Sequence, residues 1–209
     1  TEEARSEAEI LMEVQTQLIS PRYGLSVIGC VQDAISGNYL LTKDAELTRE
    51  EAVDLLMASG LKNLSKIPKK EKLTGKEVFS VVLPKGFNFK GTSRGSDEKG
   101  EREVIIKDGK LIKGVMDRNN LGEGAGLLLR NIHKRYGQRK TIRILGRIFK
   151  LGIVYLTKRG FTSALSDTDI PEPAKVKIRE ILNKAEDDVN NLINIYHQGK
   201  LEIFPGRTA

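Results

Sequence analysis

Two short polar groups near the start of the chain contain the residues best suited to bind a ligand. They are SPRYG and QDAISG, within the stretch LISPRYGLSVIGCVQDAISGNYLLT that runs from Leu18 to Thr42. An arginine can fork onto a phosphate, and a glutamine can hydrogen-bond a base or ribose edge. The stretch pairs no nucleophile with a base and contains no metal-binding cluster, so its chemistry is that of binding. The candidate residues are Ser20, Pro21, Arg22, Tyr23, Gln32 and Asp33.

The same residues also suit ordinary structural roles. A tight turn limited by glycine and built around a buried Tyr23 would explain the first group. Asp33 would then cap the following helix or orient Arg22. The residue types are compatible with both interpretations, so a binding loop and a structural turn stand side by side as predictions.

Positive charge is concentrated in one segment of the chain. The net charge is +7, yet residues 124–166 contain ten Lys and Arg and no Asp or Glu, which leaves about −3 for the rest (7 minus 10). Such a block favours a polyanion such as nucleic acid as the partner. A solvated helix face, or a face that meets an acidic subunit, remains the alternative. Four of these cations lie at helical spacing and form a basic stripe: Arg139, Arg143, Arg147 and Lys150.

Other groups of reactive residues are incomplete. His133, His197 and the single Cys30 lack the paired spacing of a zinc site. The glycine-rich Gly122–Gly126 lacks the Lys-Ser/Thr pair that follows a phosphate-binding loop, so a flexible connection is favoured there. Asp167 precedes a predicted helix, where capping is the simplest role. We therefore predict no catalytic residue and no metal ligand in this chain.

The composition is that of a globular protein. The chain has 209 residues, of which 39% are hydrophobic and 30% are charged, and it has no Trp. No apolar run approaches the roughly 20 residues of a membrane-spanning helix, and no signal peptide is recognisable. The single cysteine excludes an internal disulfide and fits a cytoplasmic protein. The first residues, TEEA, lack an initiator Met and lie within a helical pattern, which predicts a chain cut from a longer one.

Helical periodicity with a few strand-like stretches predicts an α+β fold that positions these residues. Helices are expected at Glu2–Leu18, from a capping box at Thr48 to Gly60, and at Leu127–Tyr136, Gln138–Lys158 and Pro171–His197. Strands are expected at Val78–Leu83 and, as a hairpin turning at Asp108-Gly109, at Glu103–Lys107 and Lys110–Val115. Residues Gln32–Thr42 fit either a short helix or an extended run. A loop is expected at Gly91–Gly100.

Several long stretches resemble one protein family. The segments SEAEILMEVQTQLISPRYGLSVIGCVQDAISGNYLLT, DGKLIKGVMDRNNLG, RNIHKRYGQRKTIRILGRIFKLGIVYLTKRGFTSALSDTDIP and GKLEIFPGRT are similar to the largest subunit of archaeal multisubunit DNA-dependent RNA polymerases. The resemblance covers essentially the whole chain and is weakest at residues 61–100. The chain departs from the family pattern at Thr162, where Ser is usual, at Ala164, where Gly is usual, and at Leu25-Ser26, where Gly-Pro is more common.

The resemblance implies a domain division and a place in a larger enzyme. Residues 1–166 would form the pore domain, a mixed domain with helices and short β-hairpins, and residues 167–209 would begin a helical funnel domain. The family's catalytic magnesium is held by an Asp-rich motif, NADFDGD, which would lie upstream of residue 1. A fragment that contains no cofactor site of its own would therefore be catalytically inert.

The resemblance also implies a function in transcription. In that family, the pore and funnel domains line the secondary channel. Nucleoside triphosphates enter by this channel, and a backtracked RNA 3′ end is extruded into it. Arg22 and Gln32 would then contact the RNA 3′ end or the entering nucleotide. The implied partners are the other polymerase subunits, the DNA template, the RNA transcript, nucleoside triphosphates and transcript cleavage factors, with no membrane. The alternative is a free-standing basic domain that binds nucleic acid.

Overall fold

The computed structural model describes residues 1–94 and 101–200. These residues form eight α-helices: α1 Glu2–Leu11, α2 Asp33–Asp44, α3 Arg49–Ala58, α4 Gly75–Val82, α5 Arg118–Leu121, α6 Leu127–Tyr136, α7 Gln138–Arg159 and α8 Glu172–His197. They also form five strands: β1 Glu46–Thr48, β2 Lys72–Thr74, β3 Phe89–Thr92, β4 Glu103–Lys107 and β5 Lys110–Lys113. The predicted α+β class is therefore confirmed. Most of the loop predicted at Gly91–Gly100, and nearly all of the GKLEIFPGRT segment, lie outside the described residues.

The strands make two small antiparallel sheets. β1 pairs with β2, and β3, β4 and β5 form a second sheet in that order. In the second sheet Lys107 pairs with Lys110 across the turn, as the hairpin prediction requires. Asp108 and Gly109 both have positive φ, 50° and 73°, which is the backbone geometry of a two-residue hairpin loop.

Two capping boxes start helices in the first half of the chain. Thr48 and Glu51 exchange side-chain and backbone hydrogen bonds at the start of α3, as predicted. Thr74 and Glu77 make the same exchange at the start of α4. The prediction of a strand at Val78–Leu83 is therefore wrong. A short apolar run fits a buried strand and a buried helix equally well, and the cap at Thr74 decides for the helix.

Two other predicted elements differ in extent or type from the expectation. The first helix stops at Leu11 rather than Leu18, and a single 3-10 turn follows at Val14–Gln17. The stretch from Gln32 is a helix, α2, and not an extended run. The remaining predicted helices and the hairpin have nearly the expected bounds.

The core lies where α2 crosses α7. Gly37 of α2 faces Gly152 of α7 so closely that a side chain at either position would overlap the backbone of the other helix. Asn38 and Thr42, both fully buried on α2, extend this contact. The Asn38 amide donates to Ile148 O at 2.9 Å, which ties the two helices together through a hydrogen bond. We call this contact the glycine seam.

The chain divides into two compact units. The first, Thr1–Phe161, contains every buried hydrophobic residue of the described chain, from Leu18 to Leu156. The second, Thr162–Ala209, contains α8, whose apolar side chains such as Ile181 and Leu182 are exposed. Across residues 1–94 and 101–200, none of the helices has the length and apolar character needed to cross a bilayer.

Candidate nucleic-acid interface

The SPRYG group, Ser20–Gly24, forms a hydrogen-bonded turn with most of its side chains exposed, which we call the polar turn. Gly24 N donates to Ser20 O at 2.9 Å, and Ser20 N donates to Leu25 O at 2.8 Å. Ser20 is half-buried and also accepts Arg22 N at its hydroxyl, 3.3 Å away. Pro21 and Arg22 are exposed, and Tyr23 is 62% exposed. The alternative of a turn around a buried tyrosine is therefore wrong.

Arg22 and Tyr23 form a flat cationic surface at the tip of this turn. The Arg22 guanidinium carbon lies 4.7 Å from the centroid of the Tyr23 ring, within the range of a cation–π contact. A planar cation stacked on an exposed aromatic ring offers both charge for a phosphate and a face for a base. The turn is thus chemically suited to a nucleotide or an RNA end.

The turn is held from behind by the glycine-rich segment 122–126. Gly124 N donates to Ser26 O at 2.8 Å, and Cys30 N donates to Leu121 O at 2.7 Å. A Cβ at Gly29 would lie 2.5 Å from Glu123 N, so the two backbones touch where side chains are absent. The segment therefore connects helix α5 to helix α6 and, rather than being the flexible connection favoured from sequence, is tied by these hydrogen bonds to the residues that follow the turn.

Gln32 is the backbone junction between the loop and α2. It is exposed and has φ 45° and ψ −119°, a conformation that favours glycine and costs other residues free energy. Asp33 is the exposed first residue of α2, where the helix dipole favours a carboxylate. Among the described residues, Asp33 makes neither a side-chain cap of α2 nor an ion pair with Arg22. Both structural alternatives for Asp33 thus lack support.

A hydrogen-bond relay that sequence reasoning missed fixes α2 beneath Gln32. The Asn38 amide donates to Ala34 O at 2.7 Å, and the Thr42 hydroxyl donates to Asn38 O at 2.8 Å. Met116 N donates in turn to Thr42 Oγ1 at 2.9 Å. The signal in the sequence was two polar residues four apart on one helix, but only their partner, far along the chain, shows that they are buried.

The basic stripe lies on the outer side of α7. Arg139, Arg143 and Lys150 are exposed, and Arg147 is half-buried. Within the part of the chain that the structure describes, none of the four makes an ion pair, although Lys158 on the same helix lies 3.9 Å from Asp54. Because no carboxylate neutralises them, these charges are available to an anionic partner.

Arg130 connects the acid-free segment with the polar turn. Its guanidinium donates to Gly24 O at 3.4 Å. This contact brings a second guanidinium to the turn that carries Arg22 and Tyr23. Neither its position on α6 nor its spacing from the stripe indicated such a contact, since it spans 106 positions of sequence.

Nucleophilic or metal chemistry finds no support at the described residues. Burial raises the pKa of the Cys30 thiol to about 12, so the thiolate is scarce at neutral pH. No three His, Cys, Asp or Glu side chains of the described chain come together as a metal site. Asp167 accepts Ala164 N at 2.8 Å and so caps the 3-10 turn Leu165–Thr168. The start of α8 has no side-chain cap, so the prediction that Asp167 caps that helix is wrong.

Comparisons with known proteins place this site in a family. The family model described as RNA polymerase Rpb1, domain 3, matches residues 17–168, which include the polar loop and the basic stripe. The chain belongs to the family of RNA polymerase largest subunits.

Archaeal proteins are similar over the whole chain. The DNA-directed RNA polymerase subunit Rpo1N of Methanocaldococcus jannaschii is 41% identical over 99% of this chain. The proteins of the same name from Methanothermobacter thermautotrophicus and Thermococcus celer are 40% and 37% identical over all of it. The chain spans 16%, 25% and 26% of these relatives' lengths, respectively. It thus corresponds to a limited region of an archaeal largest subunit.

Proposed function

We propose that this region of the largest subunit lines the secondary channel of a DNA-directed RNA polymerase. Nucleoside triphosphates would enter along it, and the RNA 3′ end would be extruded into it during backtracking. The observation that carries the proposal is the unpaired basic stripe on α7. The chain has 28 Asp and Glu, yet none in the described structure neutralises these four cations.

The polar turn would serve the reacting end of the RNA. Arg22 and Gln32 contact the RNA 3′ end or the incoming nucleotide, and Ser20, Pro21, Tyr23 and Asp33 shape the surface that presents them. The exposed Arg22–Tyr23 pair and the backbone strain at Gln32 support these roles, since strained residues concentrate at functional sites. Family membership favours this function over a free-standing basic domain.

The chain acts within the cytoplasmic polymerase and has no activity alone. Its partners in this proposal are the other subunits, template DNA, transcript, nucleoside triphosphates and transcript cleavage factors. The residues described here do not fit the family's magnesium, because no three potential ligands converge. The roles proposed for this chain are accordingly binding and positioning, and none involves a metal.

The stripe's role is tested by the salt dependence of RNA binding. Replacing Arg139, Arg143, Arg147 and Lys150 with Ala should flatten the log–log salt slope for single-stranded RNA by roughly 0.7 per phosphate contact, about 3 in all. The measurement is a fluorescence titration of a labelled oligonucleotide across a salt series. Identical slopes for the two proteins would remove direct RNA binding from this helix.

A matched control separates local contacts from net charge. The variant with Ala at Arg49, Lys62, Lys72 and Lys107 loses the same charge at exposed positions outside the acid-free segment. Its slope should stay within about one unit of the wild type, since long-range charge is screened beyond about 10 Å at 0.1 M salt. Equal flattening in both variants would mean that total charge, and not the stripe, governs binding.

The role of Gln32 is tested in an assembled polymerase. Gln32→Ala should alter elongation or pausing while leaving the yield of assembled enzyme unchanged, because the side chain is exposed and makes no contact that the fold needs. Transcript-length assays on purified enzyme measure the first quantity, and subunit stoichiometry measures the second. Failed assembly combined with normal elongation of whatever enzyme forms would make Gln32 a structural residue.

A further inference from the structure

A second group of cations, outside the stripe, lines a cleft around Lys66. The Lys66 ammonium donates to Leu83 O at 3.0 Å and is partly buried there. Desolvation lowers the pKa of Lys66, and the positive charges of Lys85 and Arg147 lower it further. Lys66 is thus repelled by the positive charges of Lys85 and Arg147, which come from distant parts of the sequence. Such repulsion costs free energy unless an anion lies between them.

The cations border a cleft of about 570 Å³. Lys66, Lys85 and Lys110 line it, together with the end of α4 and the β4–β5 turn. The volume lies within the range of sites for small organic ligands. We call it the Lys66 cleft.

The backbone that carries Lys85 is fixed from two sides. The Tyr136 hydroxyl donates to Lys85 O at 3.4 Å, and Gly86 N donates to an oxygen of Asp108 at 2.8 Å. Phe87 packs against Tyr136, with ring centroids 6.1 Å apart. The turn therefore fixes the backbone of Lys85 at the edge of the cleft without a bound ligand, which lowers the cost of ordering the site.

The two carboxylates in the cleft are engaged elsewhere. Glu77 accepts Lys70 Nζ at 2.8 Å and the backbone N–H of Thr74 at 3.0 Å. Asp108 accepts Gly86 N. In the described structure, neither carboxylate forms an ion pair with Lys66 or Lys85. The cleft therefore keeps an excess of positive charge.

We propose that the Lys66 cleft binds phosphate groups, using Lys66, Lys85 and Lys110, which line it, as the cations that hold them. This site is separate from the polar turn and does not depend on the function proposed for it. The ligand is either the oligophosphate of a free nucleotide or consecutive phosphodiesters of a nucleic-acid strand.

Phosphate suits the cleft better than a protein carboxylate does. Three cations in one concavity call for an anion that carries several charges in a small volume, and an oligophosphate does so. The Lys66 ammonium has three donors, of which Leu83 O takes one, so two remain for phosphate oxygens. An acidic protein surface would bring single charges spread over a wider area.

Calorimetry with inorganic triphosphate tests the site on the 209-residue chain. The variant carrying both Lys66→Met and Lys85→Met should bind triphosphate at least tenfold more weakly than the wild type. The control carrying Lys62→Met and Lys72→Met loses the same charge at exposed lysines outside the cleft and should bind like the wild type. Because Lys66→Met removes a hydrogen bond, Lys85→Met alone is measured as well and should weaken binding severalfold.

A second titration with a single-stranded RNA that has no terminal phosphate distinguishes the two sources. Loss of triphosphate binding in the cleft variants supports a free nucleotide, and loss of RNA binding alone supports a strand. An NMR titration of the Lys66 ammonium should show its pKa rising when the ligand is bound, since an anion stabilises the charged form. If the cleft variants bind both probes like the wild type, or the wild type binds neither, the proposal is wrong.

Discussion

At Gln32 the backbone adopts a conformation that residues with a Cβ disfavour. Glycine enters the region near φ 45°, ψ −119° without the steric cost that a Cβ brings. We therefore expect the free energy of unfolding of Gln32→Gly to be about 1 kcal/mol higher than that of Gln32→Ala. Both variants lack the glutamine side chain, so the comparison isolates the backbone. Urea denaturation of the two proteins measures the difference.

The opposite order would show that the backbone at Gln32 is not strained. In helices and strands Ala is favoured over Gly by roughly 0.5–1 kcal/mol. If Gln32→Ala is the more stable variant by that amount, the positive φ of Gln32 has no energetic consequence. Equal stability would contradict the prediction as well.

Single residues differ in how much of their role the sequence reveals. Arg22 and Tyr23 follow Pro21 in a glycine-limited turn, and local chemistry predicts the turn but leaves open whether Tyr23 is buried or exposed. Asn38 gave no such signal, because its burial depends on a helix more than a hundred positions away. The same is true of Lys66, since nothing in the linker sequence indicates that it shares a cleft with Lys85 and Lys110.

At the scale of elements, the glycine seam sets the distance between α2 and α7. A methyl group at Gly152 would overlap Ala34 O and the Asn38 amide. Since both neighbours are fixed by hydrogen bonds, Gly152→Ala should lower the free energy of unfolding by about 2–3 kcal/mol. Thermal or urea denaturation followed by circular dichroism measures the loss.

Gly146 offers a control on the same helix. It is exposed, and a Cβ there would meet nothing within 4 Å. Gly146→Ala should raise the free energy of unfolding by about 0.5–1 kcal/mol through helix propensity. If Gly152→Ala is stabilising to the same degree, α2 and α7 do not pack as closely as described.

The elements that sequence predicted correctly are those with strong local signals. The hairpin at Asp108-Gly109 and the helix after Thr48 each follow from a turn or a cap within four residues. The prediction of a strand at Val78–Leu83 is wrong because it rests on the apolar run alone and not on the residues that precede it. Thr74 and Glu77 have the spacing of a capping box, so the sequence does contain a signal that predicts α4. The premature end of α1 had no equally clear signal.

At the scale of the whole molecule, stability resides in the first unit. Every buried hydrophobic residue of the described chain lies before Phe161, and α8 buries none. A chain that ends at Phe161 should therefore unfold in urea with a free energy within about 0.5 kcal/mol of the full chain. A loss of several kcal/mol would show that residues after Phe161 contribute to the folding of the first unit.

The crossing of α2 and α7 also has a mechanical consequence. Where backbone meets backbone at Gly37 and Gly152, no side chain can change rotamer to absorb a displacement, and close-packed interiors transmit strain. A force on the outer face of α7, where Arg143 and Arg147 lie, should therefore displace α2 together with α7 as one rigid body. Gln32 lies at the N-terminal end of α2 and would move with it. An RNA strand held along α7 would in this way shift Gln32, and a force applied at one surface would displace a residue at the other.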